Sequence, residues 1–485
     1  MKRYLALLLV LVMLFALTAC SQKAATDNGA NTEQTTEQTT EQTTEQTTEQ
    51  TTEQTTEESS ETTTDTQEEH EPVTLTVWFY ADPGKEEFYQ KWFEAVHEEY
   101  PWITMEYEVL PYESGPEKVT VAYATNTTPD ILLDGYSRIA PAVNAGITAD
   151  VTDVIEEYSD VFLAEQLDGK MADGNYGFIA MTNGAPYGIL VNMDLAEQLG
   201  VADLLPEDKT LWTYDELLEI CRAAEKANPD VIPMGLFAGS QSSDAWYYSW
   251  FLANGVDLCN EDLTATAFNN DENREKSLQI LDLFKTMIDE GLTADGCATL
   301  VDQDIQSLWG TGNVLMLAGA WNNMSTYYVQ QQEGTCAEFN YDIYCIPTAE
   351  GKEAPDVACW GSSGVAVFKN NGNEEAAKLA IGLYLADPAY QTEYCSLFGA
   401  IPVTAGTNIT YEADWITEAM EFGTAYGAEH AVSDFGIIEP WWTEFRGTFY
   451  PQLQDFYVGN IDAQTLLDNW QTSGDAVIRA ANEAE

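Results

Sequence analysis

Between positions 73 and 80 the chain reads VTLTVWFY, with apolar and polar residues alternating as in a β-strand with two unlike faces. The period then changes. In GKEEFYQKWFEAVHEEYP, Phe88, Trp92, Val96 and Tyr100 fall four apart, which predicts a helix closed by Pro101. ITMEYEVL is a second strand, PEKVTVAYATN a second helix, DILLDG (130–135) a short buried strand, and RIAPAVNAG a third helix. Strand–helix alternation of this kind predicts a parallel sheet with right-handed crossovers. Ligands of such sheets lie beyond the carboxyl ends of the strands, here Trp78 to Asp82 and Asp134 to Arg138.

The same grammar continues to the end of the chain. YGILVNMDLAEQLG is a strand entering a helix, and WTYDELLEICRAAEKA opens with a capping box from Thr213 to Glu216. ENREKSLQILDLFKTMIDEGL is a long amphipathic helix ending at Gly291, and NVLMLAGAW a strand running into Trp321. YDIYCIPTAEGK and SSGVAVFK are strands, EEAAKLAIGLYLAD is a helix stopped by Pro388, and the last thirty or so residues are helical. The fold class is α/β.

The first seventy residues follow other rules. Lys2 and Arg3 precede the apolar run Leu5–Leu17, which is too short to span a bilayer, and small residues lead to Cys20. That layout is a secretory signal peptide. EQTT then repeats six times from Glu33 to Thr56, and residues 21–71 hold almost no apolar side chains. Such a segment is expected to stay disordered, with a reach of roughly 40 Å as a flexible coil.

Charge and composition narrow the function. The chain has 81 acidic and 19 basic residues, a net charge of −62, and only fourteen of the acids lie between 21 and 71. A folded part this acidic is a poor partner for nucleic acid or anionic lipid. Seven cysteines follow Cys20, an odd number whose spacing matches no zinc site, and they are expected as buried thiols. The only histidines are His70, His97 and His430, and no nucleotide-binding, nucleophile-elbow or zinc-protease motif is present. Neither a cofactor nor a metal is expected. Paired carboxylates, as in glycoside hydrolysis, remain open at this stage.

The order of motifs resembles one family. AYATNTTPDIL, YGILVNMDLAEQLGV, LWTYDELLEIC, SLWGTGNVLMLAGAW and GVAVFKNNGNEEAAKLAIGLYLADPAYQTEY follow the pattern of the extracellular solute-binding proteins of carbohydrate ABC importers, the group that includes maltose-binding protein. Asn126 stands where that family usually has glycine. Leu17-Thr18-Ala19-Cys20 likewise resembles the bacterial lipobox, which implies a lipid on Cys20 and a place on the outer side of the cell membrane.

The resemblance implies a two-lobe periplasmic-binding-protein fold, each lobe a sheet flanked by helices. The expected lobes are 72–180 with 341–410, and 181–340 with 411–485, after a signal peptide at 1–20 and a linker at 21–71. It also implies a carbohydrate ligand held between the lobes, membrane permease subunits as partners, a monomer, and no catalytic activity. On the first lobe the expected ligand contacts are Tyr80, Asp82, Asp134, Tyr136, Arg138 and Trp360. On the second they are Trp246, Trp321, Trp442 and Arg446, the tryptophans as stacking plates for sugar faces. The rival readings are an anchored polysaccharide hydrolase with a carboxylate pair, and the same fold holding a cation such as a polyamine.

Overall fold

The computed structural model describes residues 70–485 apart from 82–83, 112–113, 162–170, 172–173, 184–185, 322, 360–361, 370, 399, 404–408, 410, 412, 433–434, 438, 440 and 484–485. The expected signal peptide, Cys20, nearly all of the linker, Asp82 and Trp360 lie outside the described residues. His70, which composition places in the linker, belongs to the folded body, stacked on Trp102 with ring centroids 4.3 Å apart.

The strands are β1 (Val73–Tyr80), β2 (Ile103–Leu110), β3 (Ile131–Gly135), β4 (Ile179–Asn183), β5 (Tyr187–Asn192) and β6 (Ile232–Gly235). They continue as β7 (Val314–Ala320), β8 (Tyr341–Tyr344), β9 (Val357–Ala358), β10 (Ser363–Val367), β11 (Ile401–Pro402) and β12 (Ala431–Val432). Two sheets result, with strand orders β11-β4-β10-β3-β1-β2 and β6-β7-β5-β8, and β9 pairs with β12. This is the two-lobe α/β architecture.

Only part of the first sheet is parallel. β1 pairs in parallel with β2 and β3, as the strand–helix alternation predicts, but β10 runs antiparallel to both β3 and β4. β10 arrives from a distant part of the chain, so its direction is not constrained by a local crossover. Alternation then sorts the side chains. Leu75, Val77, Phe79, Ile131 and Leu133 pack on one face with Trp92 and Ile381, while Tyr80, Leu132 and Phe178 pack on the other.

Helix Lys85–Glu99 buries Phe88, Tyr89, Trp92, Phe93 and Val96, a broader stripe than the four-residue spacing suggests. The added width is Tyr89 and Phe93, which join the same core, while the Trp92 indole donates 2.9 Å to the Ala380 carbonyl and ties this helix to helix Glu374–Ala386. Helix Gly115–Thr125 ends at Asn126 with φ 56° and ψ 45°. That left-handed cap is the conformation that favours glycine and next asparagine, which accounts for the residue found there. In the second lobe the predicted capping box is present: Thr213 Oγ1 accepts from the Glu216 amide at 3.2 Å, and Glu216 accepts from the Thr213 amide at 2.7 Å.

Sheet membership marks where the chain changes lobe. It leaves the first sheet after Asn183 and enters the second at Tyr187. It returns between β9 and β10, not near 340, because β8 pairs with β5 of the second sheet, Ile189 opposite Tyr344. The last change falls after Pro402, ahead of helix Asp414–His430, which packs on β8. Helix Asn323–Gln332 of the second lobe also packs on helix Pro388–Phe398 of the first.

Candidate functional site between the lobes

At the carboxyl ends of β1 and β3, register determines which side chains meet. Phe79 is opposite Leu133, so Tyr80 and Asp134 are the next neighbours and point to the same face. The chain then turns from Gly135 into helix Tyr136–Asn144, which places Arg138 one helical turn beyond Asp134. Arg138 Nε donates to both Asp134 carboxylate oxygens, at 2.8 and 2.9 Å, and Nη2 adds a further contact to Oδ1. The Gly135 amide donates to the same carboxylate at 2.6 Å. The guanidinium carbon lies 4.9 Å from the centre of the Tyr80 ring, a cation–π arrangement. The Asp134 side chain is fully buried, whereas that of Arg138 is 31 % exposed.

These residues wall a pocket of about 60 Å³ with Phe79, Lys85, Tyr89, Met181 and Tyr394. Ser363 and Gly364 close one side. A methyl group on Gly364 would come within 2.1 Å of the Ile179 carbonyl, so only glycine lets β10 approach β4 this closely. Tyr136 is 8 % exposed and is not a wall of this pocket; its ring lies 5.0 Å from that of Phe178 and its amide donates to the Ser362 carbonyl.

The second lobe carries a matching pair. A turn in which Ser243 Oγ donates 2.7 Å to the Ser240 carbonyl delivers Asp244 to the start of helix Asp244–Ala253. A carboxylate there suits the positive end of the helix dipole. Arg446 Nε and Nη2 donate to the two Asp244 oxygens at 2.5 and 2.9 Å. Gln241 Nε2 donates 3.0 Å to the Thr443 carbonyl, joining the turn to helix Trp442–Gly447. Again the carboxylate is fully buried, and the Arg446 side chain is 20 % exposed.

The first ion pair lies beside the start of β10. Ser363 is opposite Gly135, next to Asp134. Cys359 bridges Pro186, whose neighbour Tyr187 lies within the electrostatic reach of Asp244 and Arg446. The arginines sense each other: burial lowers the Arg446 pKa and Arg138 adds to that, but Asp244 outweighs both and leaves it raised. Phenols flank both pairs. Burial first, then the Asp134 charge, pushes Tyr123 well up, and burial followed by Asp244 does the same to Tyr187.

The bacterial extracellular solute-binding protein family model matches residues 81–391. The chain belongs to this family. It is 24 % identical over 394 residues to a Brucella abortus (strain 2308) protein named as a binding protein, covering 80 % of this chain and 89 % of that one. Its fold is similar to the sugar-binding protein MalE from Xanthomonas citri (TM-score 0.63, 16 % identity, 85 % of this chain and 99 % of that one). It is also similar to an ABC transporter solute-binding protein from Thermotoga lettingae bound with α-D-tagatose (TM-score 0.68, 15 % identity, 84 % and 99 %). A chitin oligosaccharide binding protein matches at TM-score 0.68 and 19 % identity, covering 84 % and 99 %.

In this solute-binding protein Tyr80, Asp134 and Arg138 come together, and Arg446 is paired separately with Asp244 in the second lobe. The tryptophans expected as plates do not join them. Trp246 is 2 % exposed, donates 2.9 Å to the Phe237 carbonyl and packs on Phe284. Trp321 is 1 % exposed, lodged between Gly188 and Gly423. Trp442 is 2 % exposed and stacks on Phe445 at 5.6 Å. All three fill the second lobe's core, because neighbouring strands and helices offer them apolar surface that exceeds what an open cleft offers.

Asp244, Lys85, Tyr89 and Tyr394 are the wall and anchor residues that sequence reasoning missed. Asp244 had a signal, an acid opening a helix after a serine-rich turn, but its partner is 202 residues away. All seven described cysteines are buried. Among the described residues, no cluster of His, Cys, Asp or Glu could hold a metal, and no helix is long and apolar enough to cross a membrane.

Proposed function

We propose that this extracellular solute-binding protein captures a carbohydrate between its lobes and delivers it to the permease of an ABC importer. The observation that carries the reading is the Tyr80 ring beside the Arg138 fork at the strand ends, in a pocket walled by further aromatic side chains. A sugar has an apolar C–H face and a rim of hydroxyls, so an aromatic surface beside fixed donors suits it. Structural neighbours bound to maltose, raffinose and cycloalternan support the same ligand class.

The arrangement supports binding over hydrolysis. Asp134 and Asp244 are each buried and tied up by an arginine, unlike the pair of ready carboxylates that hydrolysis needs. The protein acts as a monomer, held at the outer membrane surface by a lipid on Cys20 and residues 21–71. A Cys20→Ala variant should leave the membrane fraction; retention at the parental level would remove the anchor.

A thermal-shift screen against mono- and oligosaccharides tests the ligand class. A saccharide at 100 times its Kd should add about 2.7 kcal/mol of stability. A shift with spermidine and with no saccharide would replace the carbohydrate reading by the cationic one.

A further inference from the structure

A second recess lies on the second lobe and shares no lining residue with the pocket at the strand ends. Helix Asp302–Gly310 has two unlike faces. Ile305 and Trp309, four apart, are buried in the core. Gln303, Gln306, Ser307 and Gly310 follow the i, i+3, i+4, i+7 spacing of a separate stripe. With Tyr327 and Gln330, three apart on helix Asn323–Gln332, that stripe walls a groove of about 500 Å³. Ligand pockets span roughly 300–1,000 Å³. Thr311 and Thr335 complete the wall, and no described lining residue is charged, in a chain with 81 acids. Asp302, Asp304 and Glu333 stand within two positions of lining residues but do not line it. Asp304 instead accepts from the Val301 amide at 3.0 Å.

Some of its polar groups are committed and others are open. The hydroxyls of Ser307, Thr311 and Thr335 donate to the carbonyls of Gln303, Leu308 and Gln330 at 2.7, 2.6 and 3.1 Å, which holds them in place. Among the described residues no hydrogen bond engages the side-chain amides of Gln303, Gln306 and Gln330. Each amide offers both donors and an acceptor. Tyr327 is 2 % exposed and its phenol oxygen is buried without a hydrogen-bond partner; Asn323 is near enough to act on it but completes no bond. A buried polar group of this kind is stabilised by any hydroxyl that reaches it.

We propose that this groove is a second binding site, for a neutral saccharide, separate from the site between the lobes and independent of that reading. Sugar hydroxyls both donate and accept, as the open amides do. The lining offers no carboxylate to a cation and no cation to an anion. Peptides are recognised through a free sheet edge or apolar pockets, and a polar groove between two helices supplies neither. All its walls belong to the second lobe, so it persists at any angle between the lobes.

Calorimetric titration of the full mature chain with maltotriose, chitotriose and raffinose tests this on three proteins: the parent, a Gln306→Ala, Gln330→Ala double variant, and Arg138→Gln. At least one sugar should show a binding event that the double variant weakens about tenfold or more and Arg138→Gln leaves unchanged. Because the ligand is neutral, its affinity should hold as salt rises from about 0.05 to 0.5 M. Should the double variant fail to fold, Gln306→Glu with Gln330→Glu keeps the side-chain shape, removes the amide donors and should weaken the same event. Sugars that bind the glutamine variants as tightly as the parent overturn the inference, and they leave capture between the lobes standing where Arg138→Gln abolishes them. A steep loss of affinity with salt overturns the neutral class. Binding of none of the three sugars overturns the groove as a saccharide site.

Discussion

Replacing a buried indole by a phenyl ring should cost very different amounts at Trp246 and Trp321. Both are almost fully buried and both lose the same atoms, so the loss of packing is comparable, about 1–3 kcal/mol. The N–H groups differ. At Trp246 the donor reaches the Phe237 carbonyl at 2.9 Å, and deleting it weakens a buried hydrogen bond worth about 1 kcal/mol or more. The Trp321 Nε1 has no hydrogen-bond partner among the described residues, so it already bears a desolvation cost of about 1–3 kcal/mol that Trp321→Phe removes. Trp246→Phe should therefore destabilise by about 2 kcal/mol more than Trp321→Phe. Guanidinium unfolding followed by circular dichroism measures the difference without relying on indole fluorescence. Equal losses would refute the assignment of an unsatisfied donor at Trp321. A Trp321→Phe variant that melts normally but loses its ligand would return that residue to the cleft as a plate.

Gly188→Ala should destabilise by about 1–3 kcal/mol or more, because its methyl would fall 2.1 Å from the Trp321 Nε1, and pairing it with Trp321→Phe should recover part of the loss in the same denaturation assay. Asp244→Asn should cost about 2–4 kcal/mol, somewhat below a fully buried pair because Arg446 is partly exposed, and should weaken ligand binding; an unchanged melting temperature would refute the pairing. Burial pushes the Cys221 and Cys395 thiols from 9.0 up to about 12. Their protonated form is the one the fold accommodates, so stability is full below pH 9 and is lost between 9 and 12 as the unfolded chain ionises first, seen as a falling guanidinium midpoint. Iodoacetamide should correspondingly leave the seven described thiols of the native protein unmodified and label them after unfolding.

Much of the first-lobe site was legible because its rules are local. Alternation along β1 and β3 puts Tyr80 and Asp134 on one face, and the four-residue step to Arg138 is a helical turn. The second-lobe half depends on contacts between distant segments. Arg446 was identifiable, but nothing near it in the chain indicates Asp244. The tryptophans show the same limit: whether Trp321 faces a cleft or a core depends on Gly188 and Gly423, each about a hundred residues or more away. The boundary near 340 was misplaced for a related reason. YDIY has the alternation of any strand, and its partner Tyr187–Asn192 lies about 150 residues earlier.

The chain's three changes of lobe, after Asn183, between β9 and β10 and after Pro402, also set a lever arm. When two bodies rotate about a hinge, points near the axis move little and points at the rim move far. A small solute gripped near those crossings would draw the lobes together through a short arm. A longer chain extending toward the rim would act through a greater one. At equal affinity, the degree of closure should rise with the length of the solute.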